Sequence, residues 1–257
     1  MLHQLLQNWQ KPVDMFAQLL KIAIGGRHPV VEMKLLENGI PFIQNNCDFD
    51  KNTNTILLTG PNMGGKSTYL RQVALISLMG QMGSFVSAES AQLAVVDSIY
   101  SRIGAYDRLS LNQSTFMVEM IETADILNNA TKNSLVIMDE IGRGTSTEDG
   151  MSIAYSTLKY LHDKIKCKSL FATHYHEITH LFTEEVYDKL KLMRTDIVES
   201  ESESGTFAYI HKIVPGVCSK SFGLYVAEQA GLPNSVLKTA KEFSEKFKFK
   251  NSILKPL

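Results

Sequence analysis

Long apolar runs are missing from this 257-residue chain. None approaches the roughly 20 residues that a membrane-spanning helix needs, so no membrane partner is expected. Cysteine is scarce: Cys47, Cys167 and Cys218 stand apart, odd in number and in no C-x-x-C pair. That argues against a disulfide framework and a structural zinc site, and for a reducing, intracellular compartment. The opening Met1-Leu2-His3-Gln4 lacks the basic flank and apolar core of a secretory signal. Excess charge of one sign is absent as well, because 26 Lys and Arg meet 27 Asp and Glu for a net −1. A chain that gripped DNA alone would be basic, so any DNA contact should come mostly from elsewhere. No internal repeat breaks the chain into arrays. What is present is ordinary, 44% hydrophobic and 21% charged residues, enough for one large or two small globular domains with a real core.

Against that background one stretch stands out. Gly60-Pro61-Asn62-Met63-Gly64-Gly65-Lys66-Ser67 fits G-x-x-x-x-G-K-[ST] at every fixed position, with Thr68 next. Before it, Thr55-Ile56-Leu57-Leu58-Thr59 reads as a buried strand; after it, Thr68 to Met82 carries apolar residues at helical spacing. Strand, glycine loop and helix are the context in which backbone N–H groups turn inward around phosphate oxygens. The helix N-terminus adds partial positive charge. Lys66 is placed to reach β/γ-phosphates and the Ser67 hydroxyl to ligate Mg²⁺.

A second landmark is Ser134-Leu135-Val136-Ile137-Met138-Asp139-Glu140, a buried strand with two carboxylates at its C-terminal end. In a phosphate-loop protein that end faces the nucleotide. Asp139 is then expected near Mg²⁺, and Glu140 where it polarises the attacking water. A third strand, Ser169-Leu170-Phe171-Ala172-Thr173, ends at His174. Three strands thus deliver polar groups to one edge, where doubly wound sheets bind ligands.

Elsewhere the reading is plainer. Met1 to Lys21 reads as two short amphipathic helices split by Pro12, either a remnant of a preceding domain or a docked terminus. Gly25 to Glu32 reads as a turn and strand entry, and Pro41 to Asn45 as extended, with Phe42 in the core. Ser84-Phe85-Val86 and Ser98-Ile99-Tyr100 are strand candidates. From Ser114, a natural cap, a helix shows an apolar stripe of Phe116, Met117, Met120, Ile121, Ala124 and Leu127, with Glu119 and Glu122 early in it. Glu148 to Lys164 is a further helix. The acidic run Glu199 to Gly205 reads as a solvated loop joining a hairpin. Two helices, Phe222 to Ala230 and Asn234 to about Lys248, follow around a Gly231-Leu232-Pro233 break. They read as a helix-turn-helix or a helical hairpin, with no row of Arg and Asn to read bases. One rival chemistry is His176-Glu177-Ile178-Thr179-His180, which matches H-E-x-x-H: His176 and His180 would hold zinc and Glu177 would be the base of a hydrolase. No third ligand accompanies it.

Together the phosphate loop through Thr68, Ser114-Thr115-Phe116-Met117-Val118-Glu119-Met120, Asp139-Glu140-Ile141-Gly142-Arg143-Gly144-Thr145-Ser146-Thr147 and Phe171-Ala172-Thr173-His174-Tyr175 resemble the C-terminal ATPase domain of the MutS family of DNA mismatch repair proteins. Gly26-Arg27-His28-Pro29-Val30-Val31-Glu32 and Lys220-Ser221-Phe222-Gly223-Leu224 fit as well. The resemblance implies an α/β phosphate-loop NTPase of ABC type, a mixed central sheet flanked by helices. Residues 25–257 would form that domain, including a C-terminal helix-turn-helix dimerisation segment at about 219–248, and residues 1–24 the remnant of a helical lever domain. It implies two subunits, alike or different, that sandwich two ATP molecules with Mg²⁺. His174 would sense the γ-phosphate, and Ser114 would complete the partner's site in trans with Asn62 as its neighbour across the interface. Phe42 and His211 would sandwich adenine, which takes both out of the core. Mismatched duplex DNA in the full-length context, a MutL-type partner and a DNA-associated place in the cytoplasm, nucleus or mitochondrion follow. Two departures stand against this. Asn112 occupies the position two before Ser114 where the family usually has glycine. The mismatch-binding, connector, lever and clamp domains have no counterpart here, so a fragment, truncated product or split protein is expected. The functional rivals are a transporter-like or chromosome-maintenance ATPase, the zinc hydrolase, and a nucleotide-dependent dimerisation module without turnover.

Overall fold

The computed structural model describes residues 14–15, 21–49, 53–104, 114–181, 190–199, 207–218 and 222–253. Its strands, in chain order, are Asp14–Met15 (β1), Lys21–Ile24 (β2), Thr55–Thr59 (β3), Ser90–Leu93 (β4), Ile99–Arg102 (β5), Leu135–Asp139 (β6), Lys168–Thr173 (β7), Leu190–Glu199 (β8) and Phe207–Pro215 (β9). The α-helices are Pro29–Glu37 (α1), Lys66–Gln81 (α2), Thr115–Asn129 (α3), Thr147–Tyr160 (α4), Gly223–Gln229 (α5) and Asn234–Ile253 (α6). The chain divides into two units, Met1–Cys218 and Ser219–Leu257.

In the first unit the central sheet runs β5-β6-β7-β3-β8-β9. The first five strands are parallel, and β9 returns antiparallel to β8. This is the mixed α/β sheet expected, and the β8–β9 pair is the hairpin expected across the acidic run. β3 and β6 are buried at every residue, as apolar strands covered on both faces should be. Their side chains alternate between two cores. Ile56, Leu58, Leu135, Ile137, Leu170 and Ala172 pack on one side with Tyr69, Leu70, Val73 and Ile76 of α2. Leu57, Val136, Met138 and Phe171 pack on the other with Ile126 of α3 and Ala154 and Leu158 of α4. Each such side chain contributes about 1.5–3 kcal/mol on leaving water, so these layers anchor the sheet. Register then aligns the chemistry, because Asp139 pairs with Ala172 and Thr59 with Thr173, which puts the ends of three neighbouring strands at one level.

Several local expectations change. Pro29–Glu37 is helix, not strand. His28 caps it, its side chain accepting from the Val31 N–H, and Pro29 sits at the first turn, where its missing donor costs nothing. Ser84–Val86 forms no strand; pairing falls to β4, which joins β1 in parallel and β2 antiparallel. The helices read in Met1 to Lys21 lie largely outside the described residues, but Asp14–Met15 and Lys21–Ile24 are strands, not helix. α3 buries a different face from the stripe read off its apolar residues. Val118, Glu119, Thr123 and Ile126 point inward, while Met117 and Ile121 are about half exposed, 52% and 49%. α4 ends at Tyr160 and passes into a π turn over Leu161–Ile165. In the second unit, α5 closes on Gly231, whose left-handed backbone (φ 81°) lets Leu232 N–H reach the Ala227 carbonyl. α6 begins at Asn234 as expected and runs to Ile253, past Lys248.

Candidate functional site: a phosphate loop facing two strand-end carboxylates

The loop between β3 and α2 is folded by its glycines and by one threonine behind it. Gly65 is left-handed (φ 91°) and starts α2. The fully buried Thr195 of β8 fills the space beside Gly60 and Gly64. A Cβ on Gly64 would lie 2.6 Å from the Thr195 hydroxyl oxygen, and one on Gly60 would lie closer still. Inside the loop, the Lys66 ammonium donates to the carbonyls of Gly60 at 2.6 Å and Pro61 at 3.1 Å, and lies 3.4 Å from Glu140 Oε1. Burial holds its pKa below the usual lysine range, against the opposing pull of Glu140 and Asp139.

Asp139, at the end of β6, shows the reverse. Burial raises its pKa and a hydrogen bond with Ser67 lowers it. Its Oδ1 is buried with no hydrogen-bond partner. A hydroxyl beside an unmatched, buried carboxylate oxygen is the oxygen donor set a hard divalent cation such as Mg²⁺ takes, so the residues present fit that ion.

Glu140 adopts a left-handed backbone (φ 55°), uncommon for a residue with a side chain, and its N–H donates to the Ala172 carbonyl. Its carboxylate is held by Arg143 at 2.7 Å and by Lys66. In the amide orientation that satisfies both partners, Asn62 also donates to Glu140 Oε1 at 2.7 Å and accepts from Arg143 at 3.0 Å. Asn62 thus contacts the end of β6 in its own chain. His174 follows β7, half-buried, its pKa lowered by burial, within electrostatic reach of Glu140, Arg143 and Lys66.

Beside the loop lies a cleft of about 840 Å³ whose lining includes Phe42, Ile43, Gly65, Thr68, Tyr209 and His211. Phe42 is half-buried rather than part of the core. Asn45 joins the two walls, donating to the His211 carbonyl at 2.8 Å and accepting from the Ile213 N–H at 2.8 Å. Ser114 stands elsewhere, exposed, as the N-cap of α3, accepting from the Met117 N–H at 3.1 Å. Asn112 lies outside the described residues. Met63 is exposed at the loop's rim.

The zinc pattern fails on geometry. His176–His180 is a 3₁₀ helix, not an α-helix. At 3.0 residues per turn, positions four apart diverge by about 120°, so the two histidines do not share a face. Among the described residues no cluster of three or more His, Cys, Asp or Glu side chains could hold a metal ion. No described helix is long and apolar enough to cross a membrane.

Sequence reasoning missed the supporting residues. Thr195, Asn45, Arg143 and Tyr175 carry no pattern of their own, and Glu119, a carboxylate early in a helix, is buried rather than solvated. Arg143, Tyr175 and Glu119 lie inside longer motif strings, which is the one signal available for them.

Fold and site together define a phosphate-loop ATPase domain of the ABC type. The model of MutS domain V matches residues 56–248, and the chain belongs to that family. It is 51% identical over 224 residues to the DNA mismatch repair protein MutS of Rickettsia typhi, covering 87% of this chain and 25% of that protein. The protein of the same name from Lactobacillus acidophilus is 51% identical over 233 residues, 91% of this chain and 26% of the relative. That from Halalkalibacterium halodurans is 51% identical over 217 residues, 84% and 24%. The chain therefore spans about a quarter of the length of these curated relatives.

Proposed function

We propose that this chain binds and hydrolyses ATP as the motor domain of a MutS-type mismatch repair protein. The observation that carries the reading is the convergence of Lys66, Asp139 and Glu140 at one sheet edge, with Lys66 Nζ 3.4 Å from Glu140. Lys66 binds the β- and γ-phosphates, exchanging the Gly60 and Pro61 carbonyls for phosphate oxygens. Ser67 and Asp139 would hold Mg²⁺, which supplies charge neutralisation on the phosphates when bound. Glu140 orients and polarises the attacking water once Lys66 has turned from it to the phosphates. His174 is neutral near pH 7, because burial depresses its pKa, and so donates a single N–H toward the γ-phosphate. Phe42 and His211 take the adenine between them in the cleft.

The assembly follows from Ser114. An exposed hydroxyl at a helix N-terminus suits a phosphate on a second chain, so the domain works as a homo- or heterodimer with a MutS-family subunit, each completing the other's site. We assign residues 25–257 to this domain, with α5 and α6 as its dimerisation segment. Mismatched duplex DNA and a MutL-type partner are engaged by the full-length protein. Lys66→Ala tests the reading. Losing a charge-assisted contact of about 1.5–3 kcal/mol should weaken ATP binding about 10–150-fold. Parental affinity in that variant overturns it.

A further inference from the structure

The turn that carries Glu140 cannot hold its own shape. Glu140 and Gly142 are both left-handed, at φ 55° and 90°. A carboxylate residue in that conformation persists only where its surroundings fix it. They do so at Gly142. Its N–H donates to Glu119 Oε1 at 2.6 Å, and its carbonyl accepts from the Tyr175 hydroxyl at 2.9 Å. Both backbone polar groups of one residue, in the two successive peptides that flank its Cα, are therefore gripped. One grip comes from the helix that Ser114 caps, the other from the segment that follows His174.

Both grips are built in rather than incidental. Glu119 is 5% exposed and Tyr175 equally so. The second oxygen of Glu119 lies 3.5 Å from the buried Arg102, which in turn lies 3.1 Å from Glu122, so the charge is compensated and its direction fixed. Gly150 of α4 backs the other side. A Cβ there would lie 2.3 Å from the Tyr175 hydroxyl and 2.2 Å from the Gly142 carbonyl. The fold leaves out a side chain where the clamp closes.

We propose that Glu119 and Tyr175 are positioning residues that clamp Gly142 by its N–H and its carbonyl, hold Glu140 in its left-handed pose, and join the Ser114 helix to the strand end that activates water. The inference rests on the ATPase reading above. Neither residue touches substrate; each acts through the turn. An error near 1 Å in the base lowers turnover about a hundredfold at most, while the phosphate loop, fixed separately by Thr195, still binds nucleotide.

The test measures two things on the same variants, Glu119→Ala, Glu119→Gln and Tyr175→Phe. The first is hydrogen exchange at the Gly142 amide, which needs no turnover. Exchange should speed at least about tenfold in Glu119→Ala and stay near parental in Glu119→Gln, whose side-chain oxygen still accepts. The second is steady-state ATP hydrolysis with nucleotide affinity measured in parallel. Glu119→Ala and Tyr175→Phe should each lower kcat about tenfold or more with affinity within about twofold, and Glu119→Gln should restore most of kcat. Tyr175→Phe deletes only a hydroxyl and decides the matter if Glu119→Ala does not fold. Parental kcat in Tyr175→Phe, a loss carried by affinity, or unchanged Gly142 exchange in Glu119→Ala overturns the clamp. A parent chain that exchanges as expected but does not hydrolyse ATP overturns the ATPase reading and leaves the clamp's structure standing.

Discussion

Gly64→Ala is the sharpest test of how the phosphate loop is held. Gly64 has an ordinary backbone conformation, so added strain comes from contact alone. The new methyl would lie 2.6 Å from the Thr195 hydroxyl oxygen, 2.9 Å from its Cβ and 3.1 Å from its methyl. An unstrained contact begins near 3.4 Å, so about 0.8 Å must be recovered against a fully buried neighbour. Overpacking of this kind costs about 1–3 kcal/mol, and the stiffer unfolded chain returns about 0.4–1. The expected net loss is about 1–2 kcal/mol, which lowers the melting temperature by about 2–8 °C for a chain of this size. Thr195→Ala alone should be nearly neutral, because it removes a methyl but also a buried hydroxyl that has no hydrogen-bond partner. Combined, the two changes should melt between Thr195→Ala and Gly64→Ala, because the hydroxyl and methyl are gone while the Cβ at 2.9 Å remains, a coupling of about 1 kcal/mol. Thermal unfolding of the nucleotide-free chain near neutral pH, followed by far-ultraviolet circular dichroism, reads all four forms. A Gly64→Ala chain that melts at or above the parent, or a loss that persists unchanged in the Thr195→Ala background, refutes the argument.

Acid should weaken the nucleotide-free fold before its carboxylates titrate. Burial holds His28, His174 and His176 below the ordinary value of 6.5, so the unfolded chain takes up protons there that the folded chain refuses. Stability from these groups is complete above that value and is lost as pH falls through their depressed pKa values, and His174→Gln should flatten the fall in melting temperature between neutral and mildly acidic pH. In a separate experiment, mixing Ser114→Ala with Lys66→Ala chains should recover part of the ATPase activity that each lacks alone. Only the mixed dimer pairs an intact phosphate loop with an intact serine, so absence of recovery removes the trans role of Ser114.

The site's skeleton was legible because a few residue types must recur at fixed spacing. The glycines, Lys66 and Ser67 are demanded by phosphate geometry, and the apolar runs before Thr59, Asp139 and His174 read as buried strands, which they are, paired in parallel. What escaped depends on tertiary contact. Val30 and Val31 suggest a strand, yet His28 and Pro29 form a helix start whose cap outweighs β-branching. Glu119 sits among apolar residues that look like the buried face, but α3 turns it inward because a peptide 23 positions away needs its oxygen. Thr195 had no signature at all; its role exists only because β8 pairs beside β3 and brings its side chain behind two glycines.

On the function proposed, nucleotide binding and water activation reside on different residues at one end of the sheet. Glu140→Ala separates them. Equilibrium binding of ATP with Mg²⁺ should remain within about twofold of the parent, while single-turnover hydrolysis falls about 10²–10⁴-fold, the range expected on loss of a general base. Hydrolysis at the parental rate in Glu140→Ala would contradict the account.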